Sequence, residues 1–258
     1  IVKSADGVTN LHGVIRKPWN FDPEKSYPVV EYIYGGGFTT VVPSTFIPEG
    51  PPSSSFVSHM NFSGALTQLG FIVVTLDARG TPGRGKKFQD TVYGNVGRYE
   101  IADHAAALKG IAKTRSYMDM NRVGIFGHSL GGYYATRALL QTPDLYKVGV
   151  ASAPATQYHT VFINIGEPYN GGRPQDVPLR YEYASNLPLA GNLEGKLLII
   201  HPTSDVNAPL AHTMQLLNAF IEAGKPHDVN LMPGGNHSYK YTDSTRRHEF
   251  WNNTVRDY

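Results

Sequence analysis

The chain has 258 residues, of which 41% are hydrophobic, enough for one large α/β domain built around a buried sheet. Its 23 basic and 21 acidic side chains give a formal net charge of +2, which argues against nucleic acid or an anionic membrane as partner. The lack of cysteine excludes disulfides, thiolate nucleophiles and cysteine-ligated metals.

No apolar run reaches the roughly 18 residues that a membrane helix needs, so we expect a soluble chain without membrane contact. The sequence starts at Ile1 with no secretion signal ahead of it. The location is left open, and we expect a mature, trimmed or excised piece, either exported or cut from a longer chain. The oligomeric state is also left open.

Short apolar runs that end in glycine, proline or polar residues predict the strands. In chain order these runs are 29–34, 71–76, 122–126, 148–151, 197–201 and 229–232. Helical patterns lie between and after them, at 100–113, 131–141, 210–223 and 244–256. Strands that alternate with helices of this length indicate βαβ units. We therefore predict a mostly parallel, doubly wound α/β sheet flanked by helices, as a single domain over residues 1–258.

Two long segments fit this alternation poorly. Residues 39–61 hold several prolines and a run of serines, and residues 158–193 are rich in proline, glycine, asparagine and tyrosine. Either both segments are irregular surface connections, or they border a pocket, as such excursions do on α/β scaffolds.

The motif Gly-x-Ser-x-Gly at residues 127–131 follows an apolar strand and precedes a predicted helix. This strand–turn–helix context is the one in which a nucleophilic serine stands on a sharp turn. The glycines leave room for neighbouring elements, and the strained turn exposes Ser129. The N–H of Leu130, at the start of the helix, is a candidate donor to an oxyanion.

A serine nucleophile needs a histidine base, and in this fold class the histidine follows the acid in the chain. His237 lies in a glycine-rich loop after the last predicted strand and is therefore the candidate base. His128 is adjacent to the serine and is expected to point elsewhere, and His201 is expected to pack at a strand end.

The candidate acid is Asp205, because it follows the predicted strand at 197–201. It is therefore expected at the carboxyl edge of the sheet, where sites in open α/β sheets form. Three other aspartates lie between the serine and the histidine, in less suitable contexts: Asp144, Asp176 and Asp228.

Ordered landmarks along the chain resemble those of the prolyl oligopeptidase family of serine peptidases, nearest the dipeptidyl peptidase IV branch. The landmarks are Asp6-Gly7, Asn20-Phe21-Asp22-Pro23, Tyr34-Gly35-Gly36, Asp77-Ala78-Arg79-Gly80, the serine motif, the 201–207 segment and Gly-x-x-His237. The resemblance implies an α/β-hydrolase fold and peptidase activity without a cofactor or metal. It also implies that Tyr34 donates its hydroxyl to the oxyanion and that Asn207 holds a substrate carbonyl.

The sequence departs from the family in three respects. The β-propeller that the family carries is not in this chain. Leu130 stands where this branch places an aromatic residue, and Gly37 stands where proline follows Tyr-Gly-Gly. Tyr158 and other tyrosines of the segment 158–193 are candidates for the aromatic walls of a substrate pocket.

These departures leave two hydrolase functions open. We predict a serine peptidase acting on short peptides, with a carboxylesterase acting on small or aromatic esters as the alternative. Two other functions fit poorly. The segment 80–87 resembles a phosphate-binding loop but has Lys87 at the magnesium-binding position, and a non-catalytic domain would not need Ser129, Asp205 and His237 together.

Overall fold

The computed structural model describes residues 1–43, 63–161 and 163–239. Its strands are β1 (Val2–Lys3), β2 (Asn10–Arg16), β3 (Tyr27–Tyr32), β4 (Ile72–Asp77), β5 (Met118–His128), β6 (Val148–Ser152), β7 (Lys196–Pro202) and β8 (Asp228–Met232). The helices are α1 (Lys86–Gln89), α2 (Glu100–Ala112), α3 (Leu130–Gln141), α4 (Ile163–Asn170), α5 (Pro178–Ala184) and α6 (Leu210–Glu222). Short 3₁₀ helices span Asp90–Val92 and Leu187–Asn192, and residues 63–68 are also helical. The helix expected at 244–256 lies outside the described residues.

The eight strands form one sheet in the order β1-β2-β4-β3-β5-β6-β7-β8. The β1–β2 and β2–β4 pairs are antiparallel, and all other pairs are parallel. The mostly parallel sheet is thus confirmed, and the first two strands add an antiparallel edge that the sequence patterns did not predict.

Alternate residues of the central strands enter two hydrophobic clusters, as the two faces of a sheet require. On β7, for example, Leu197 and Ile199 belong to the larger cluster, and Leu198 and Ile200 belong to the smaller one. The larger cluster also contains the apolar sides of α2, α3 and α6. Residues 131–140 of α3 are all buried, which makes it the central helix of that face.

Two buried ionisable groups on that face connect elements. The Glu31 carboxylate of β3 contacts the His104 ring of α2 at 2.6 Å and accepts a hydrogen bond from the Tyr146 hydroxyl at 2.6 Å. The Arg137 guanidinium of α3 donates to the carbonyls of Gly97 and Tyr183, at 3.0 and 2.7 Å. These bonds join α2 and the segment before β6 to the sheet, and they join α3 to the loop before α2 and to the end of α5.

The segment 158–193, expected to be irregular, contains α4, α5 and a 3₁₀ helix. Most of the other long segment, 39–61, lies outside the described residues. Within the described part of the chain, no helix has both the length and the apolar character needed to cross a membrane.

Candidate active site

Four predicted site residues follow the carboxyl ends of four parallel strands. Tyr34 follows β3, Ser129 follows β5, Asp205 follows β7 and His237 follows β8. Parallel strands end at the same edge of a sheet, so the topology brings residues from distant parts of the chain together.

Ser129 occupies a strained turn between β5 and α3. Its φ of 59° and ψ of −118° place it in a conformation that non-glycine residues rarely adopt. Its N–H donates to the Ser152 carbonyl at 2.8 Å, and its carbonyl accepts the Tyr133 N–H at 3.0 Å. The turn is therefore held from both sides, and Leu130 becomes the first helical residue, with its N–H at the helix N-terminus.

The glycines of the motif are required by close backbone approach. A Cβ on Gly127 would lie 2.4 Å from the Gly131 carbonyl oxygen, and a Cβ on Gly131 would lie 2.3 Å from the Ile33 carbonyl oxygen. Both distances are impossible for a carbon atom against backbone. The turn thus packs directly on the segment that leads to Tyr34.

The side chains of Ser129, His237 and Asp205 form a continuous hydrogen-bonded line. The Nε2 atom of His237 lies 2.8 Å from Ser129 Oγ, and its Nδ1 atom lies 2.6 Å from Asp205 Oδ2. Since a carboxylate only accepts, His237 carries its proton on Nδ1 and accepts the Ser129 O–H at Nε2. This is the arrangement in which an imidazole removes a proton from a serine hydroxyl.

Asp205 is buried but remains an acceptor. Burial acts to raise its pKa, yet the hydrogen bond from His237 and those from the Ala208 and Asn207 amides together hold the pKa below its usual value. The two amides donate to Oδ1 at 2.9 and 2.8 Å, leaving Oδ2 for the imidazole.

The Tyr34 hydroxyl is hydrogen-bonded to the Ser129 side chain. Burial raises the pKa of Tyr34, against the opposing effect of that bond, so the phenol stays neutral and able to donate. The hydroxyl and the Leu130 N–H are the two donors that the sequence predicts for an oxyanion.

A cavity of about 750 Å³ opens onto these groups. Its lining includes six of the predicted site residues: Tyr34, Ser129, Leu130, Tyr158, Asn207 and His237. The Tyr158 ring is buried, whereas Asn207 is exposed and is attached to the acid through its backbone amide. The cavity therefore brings together the site residues that the sequence predicts, except Asp205, which contacts His237 without lining the cavity.

Helix α4 forms one wall of the cavity, and the sequence analysis did not name the residues that form it. Its side chains in the cavity include those of Ile165 and Tyr169. Burial, with Tyr34 nearby, raises the pKa of Tyr169 to about 12. A Cβ on Gly37 would lie 2.6 Å from the Tyr169 ring, so a larger residue there would require the ring to move. In the sequence, only the glycine in place of proline at residue 37 pointed to this close contact.

His128 does not point away from the site as expected. Its ring centroid lies 4.7 Å from that of His237, and it lines the cavity. His201 behaves as expected, since it donates to the Ala208 carbonyl at 2.9 Å and accepts from Thr213 at 2.8 Å.

Comparison with known proteins adds a family to this geometry. The sequence profile of the Prolyl oligopeptidase family matches residues 57–254. Human dipeptidyl peptidase 8 is 34% identical over 254 residues, which cover 96% of this chain and 27% of that protein.

Two solved structures resemble the fold closely. A candidate dipeptidyl aminopeptidase IV from Bacteroides ovatus aligns with a TM-score of 0.88 and 31% identity, covering 100% of this chain and 34% of that chain. Porphyromonas gingivalis dipeptidyl peptidase 4 aligns with a TM-score of 0.85 and 29% identity, covering 98% and 34%. The chain thus spans about a quarter of the curated relative and about a third of each solved chain. These alignments confirm the predicted α/β-hydrolase fold.

Proposed function

The chain belongs to the prolyl oligopeptidase family of serine-type peptidases, and from this premise we propose that it cleaves amide bonds of short peptides through an acyl-enzyme. The observation that carries the proposal is the hydrogen-bonded line from Ser129 through His237 to Asp205. In this line, Ser129 occupies the strained turn and faces the cavity. The names of the dipeptidyl peptidases that it resembles support peptides as substrates.

In the proposed reaction, Ser129 Oγ attacks the carbonyl carbon and its proton passes to His237 Nε2. The Leu130 N–H and the Tyr34 hydroxyl stabilise the negative oxygen of the tetrahedral intermediate. The C–N bond then breaks, and His237 returns the proton to the leaving amine. A water molecule, deprotonated by the same nitrogen, hydrolyses the Ser129 ester and restores the enzyme.

Asn207 and Tyr158 are proposed to bind substrate rather than to react. Asn207 lies at the cavity next to the acid, where its amide can donate to a substrate carbonyl. Tyr158 contributes a buried aromatic wall to the same cavity.

Fluorophosphonate labelling followed by intact mass measurement tests the nucleophile. The wild-type chain is expected to gain one adduct and Ser129→Ala to gain none. Ser238→Ala is the matched control, because Ser238 also lines the cavity, whereas the imidazole nitrogens of His237 are engaged by Ser129 and Asp205. Labelling of Ser129→Ala at the wild-type rate would contradict the proposal.

Parallel assays decide the bond that is cleaved. A Gly-Pro anilide and a short p-nitrophenyl ester are offered to the same preparation, with Ser129→Ala as blank. Turnover of the anilide supports the peptidase. Turnover of the ester alone supports the carboxylesterase, for which the open cavity with Leu130 in place of an aromatic residue is the favourable observation.

A further inference from the structure

A second line of hydrogen bonds runs beside the proposed triad. The Nδ1 atom of His128 lies 2.8 Å from Ser152 Oγ, which lies 2.6 Å from the Tyr239 hydroxyl. That hydroxyl donates to the Ile200 carbonyl at 3.3 Å. The His128, Ser152 and Tyr239 side chains are buried, so the line is shielded from competing water.

The Ile200 carbonyl at the end of the line indicates which group donates in each hydrogen bond. A carbonyl oxygen only accepts, so when Tyr239 donates its one proton to the Ile200 carbonyl, it accepts the Ser152 proton. The Ser152 oxygen is then the acceptor for His128, which must carry a proton on Nδ1. This second line therefore fixes one tautomer of His128, as Asp205 does for His237.

Two side chains of this line, those of His128 and Tyr239, belong to residues close in the chain to the proposed nucleophile and base. His128 directly precedes the nucleophile, and its ring packs against the His237 ring at a tilt of 45°. Tyr239 follows His237 by two residues and has a φ of 54°, with its N–H donating to the Asn236 carbonyl at 2.9 Å. Tyr239 therefore closes the loop that carries the base.

Ser152 joins the line to the nucleophile turn. Its carbonyl accepts the Ser129 N–H at 2.8 Å, while its hydroxyl bridges His128 and Tyr239. One residue at the end of β6 thus anchors the nucleophile through its backbone and the base loop through its side chain.

We propose that His128, Ser152 and Tyr239 are positioning residues, which hold the His237 ring at the distance and tilt needed to take the Ser129 proton. The inference rests on the proposed function, since it assigns these residues a role only if His237 is the base. In this role they act through His237 and its loop and take no part in making or breaking bonds. A loosened ring would lower the rate of attack without changing how ligand enters the cavity.

Two-step inactivation kinetics with a fluorophosphonate provide the first test. Tyr239→Phe and Ser152→Ala are each expected to lower the maximal inactivation rate about tenfold, the effect of one net hydrogen bond, with the apparent inhibitor affinity unchanged. The double variant is expected to lose no more than either single variant, because each breaks the same line. Tyr27→Phe is the matched control, as its buried hydroxyl accepts the Asp22 N–H at 2.9 Å at the start of β3.

Nitrogen-15 NMR of the imidazoles provides the second test. His128 is expected to be protonated on Nδ1 in the wild type and to lose this preference in Ser152→Ala. His128→Asn, which keeps a donor near the Nδ1 position, is expected to retain more activity than His128→Leu. A wild-type inactivation rate in folded Tyr239→Phe, or a His128 proton on Nε2, would overturn the inference. Labelling that survives Ser129→Ala would instead overturn the proposed function.

Discussion

At the scale of single residues, the orientation of the His237 ring depends on Asp205. The carboxylate holds the Nδ1 proton, which leaves Nε2 as an acceptor for the serine. The position of the Asp205 carboxylate is fixed in turn by two backbone amides of its own loop. In the proposed reaction Asp205 therefore selects a tautomer and stabilises the imidazolium that forms during attack.

Asp205→Asn is expected to lower kcat by roughly 10³- to 10⁴-fold, because the amide NH₂ can donate to Nδ1 and favour the tautomer protonated on Nε2. The measurement is steady-state turnover of the better substrate across pH 6 to 9. Asp144→Asn is the control, since Asp144 is exposed and its carboxylate pairs with Lys109 at 3.3 Å. A loss smaller than tenfold in Asp205→Asn would remove this residue from the site.

Tyr34→Phe is expected to lower kcat by about 10²- to 10³-fold and to leave KM nearly unchanged. The hydroxyl is assigned to an oxygen that becomes negative only in the transition state, so its loss affects the chemical step more than substrate binding. Separate determination of kcat and KM checks the prediction. Tyr93→Phe, on an exposed tyrosine that lines the same cavity, is expected to change neither. A raised KM with normal kcat would make Tyr34 a binding residue.

At the scale of elements, the site depends on how closely α3 approaches β3 and its extension. Gly131 lets the first turn of the helix touch the Ile33 backbone, one residue before Tyr34. A single close contact therefore sets the spacing between the two proposed oxyanion donors.

Gly131→Ala is expected to destabilise the chain by about 1–3 kcal/mol and to slow acylation, because a Cβ 2.3 Å from a backbone oxygen must push the two elements apart. Urea unfolding and the labelling rate measure the two effects. Gly191→Ala is the control, as a Cβ there meets nothing within 4 Å. Equal stability and equal labelling of the two variants would show that α3 can shift without cost.

The element boundaries show what the sequence can and cannot predict. The buried parallel strands were predictable because both faces are apolar, although β3 ends at Tyr32 and leaves Tyr34 beyond it. Strand β2 was missed because it lies near the sheet edge, where only Leu11 of its residues is buried, so it has no continuous apolar run. Helix α4 was missed because its Pro168 and the glycines after it are typical of loops.

The candidate site was more predictable than its surroundings. Chain order and strand ends suffice to select Ser129, Asp205 and His237, because parallel topology carries strand ends to one edge. The line from His128 to Tyr239 was not predictable. It depends on side-chain directions of residues far apart in the chain, for which no local pattern exists.

At the scale of the whole molecule, every proposed catalytic group follows a strand of one sheet. That residues 1–258 form a single domain stays a prediction. The Glu31–His104 contact is buried and joins β3 to α2. Burial alone would lower the pKa of His104, but the charge and hydrogen bond of Glu31, together with Asp103 and Asp77, raise it above its usual value of 6.5. Folding therefore favours the protonated ring.

The sign of the pH dependence follows from this shift. Below pH 6.5 the ring is protonated in both the folded and the unfolded chain, so the stabilisation is fully present. Above pH 6.5 only the folded chain retains the proton, and His104 contributes a fall in the free energy of unfolding of up to about 1.4 kcal/mol per pH unit until its folded pKa is passed. Urea unfolding at a series of pH values from 6 to 9 measures this slope. His104→Gln is expected to be less stable at pH 6 and to lose the slope, whereas His12→Gln, at an exposed position on β2, is expected to keep it. A slope that persists in His104→Gln would assign the proton uptake to another buried group.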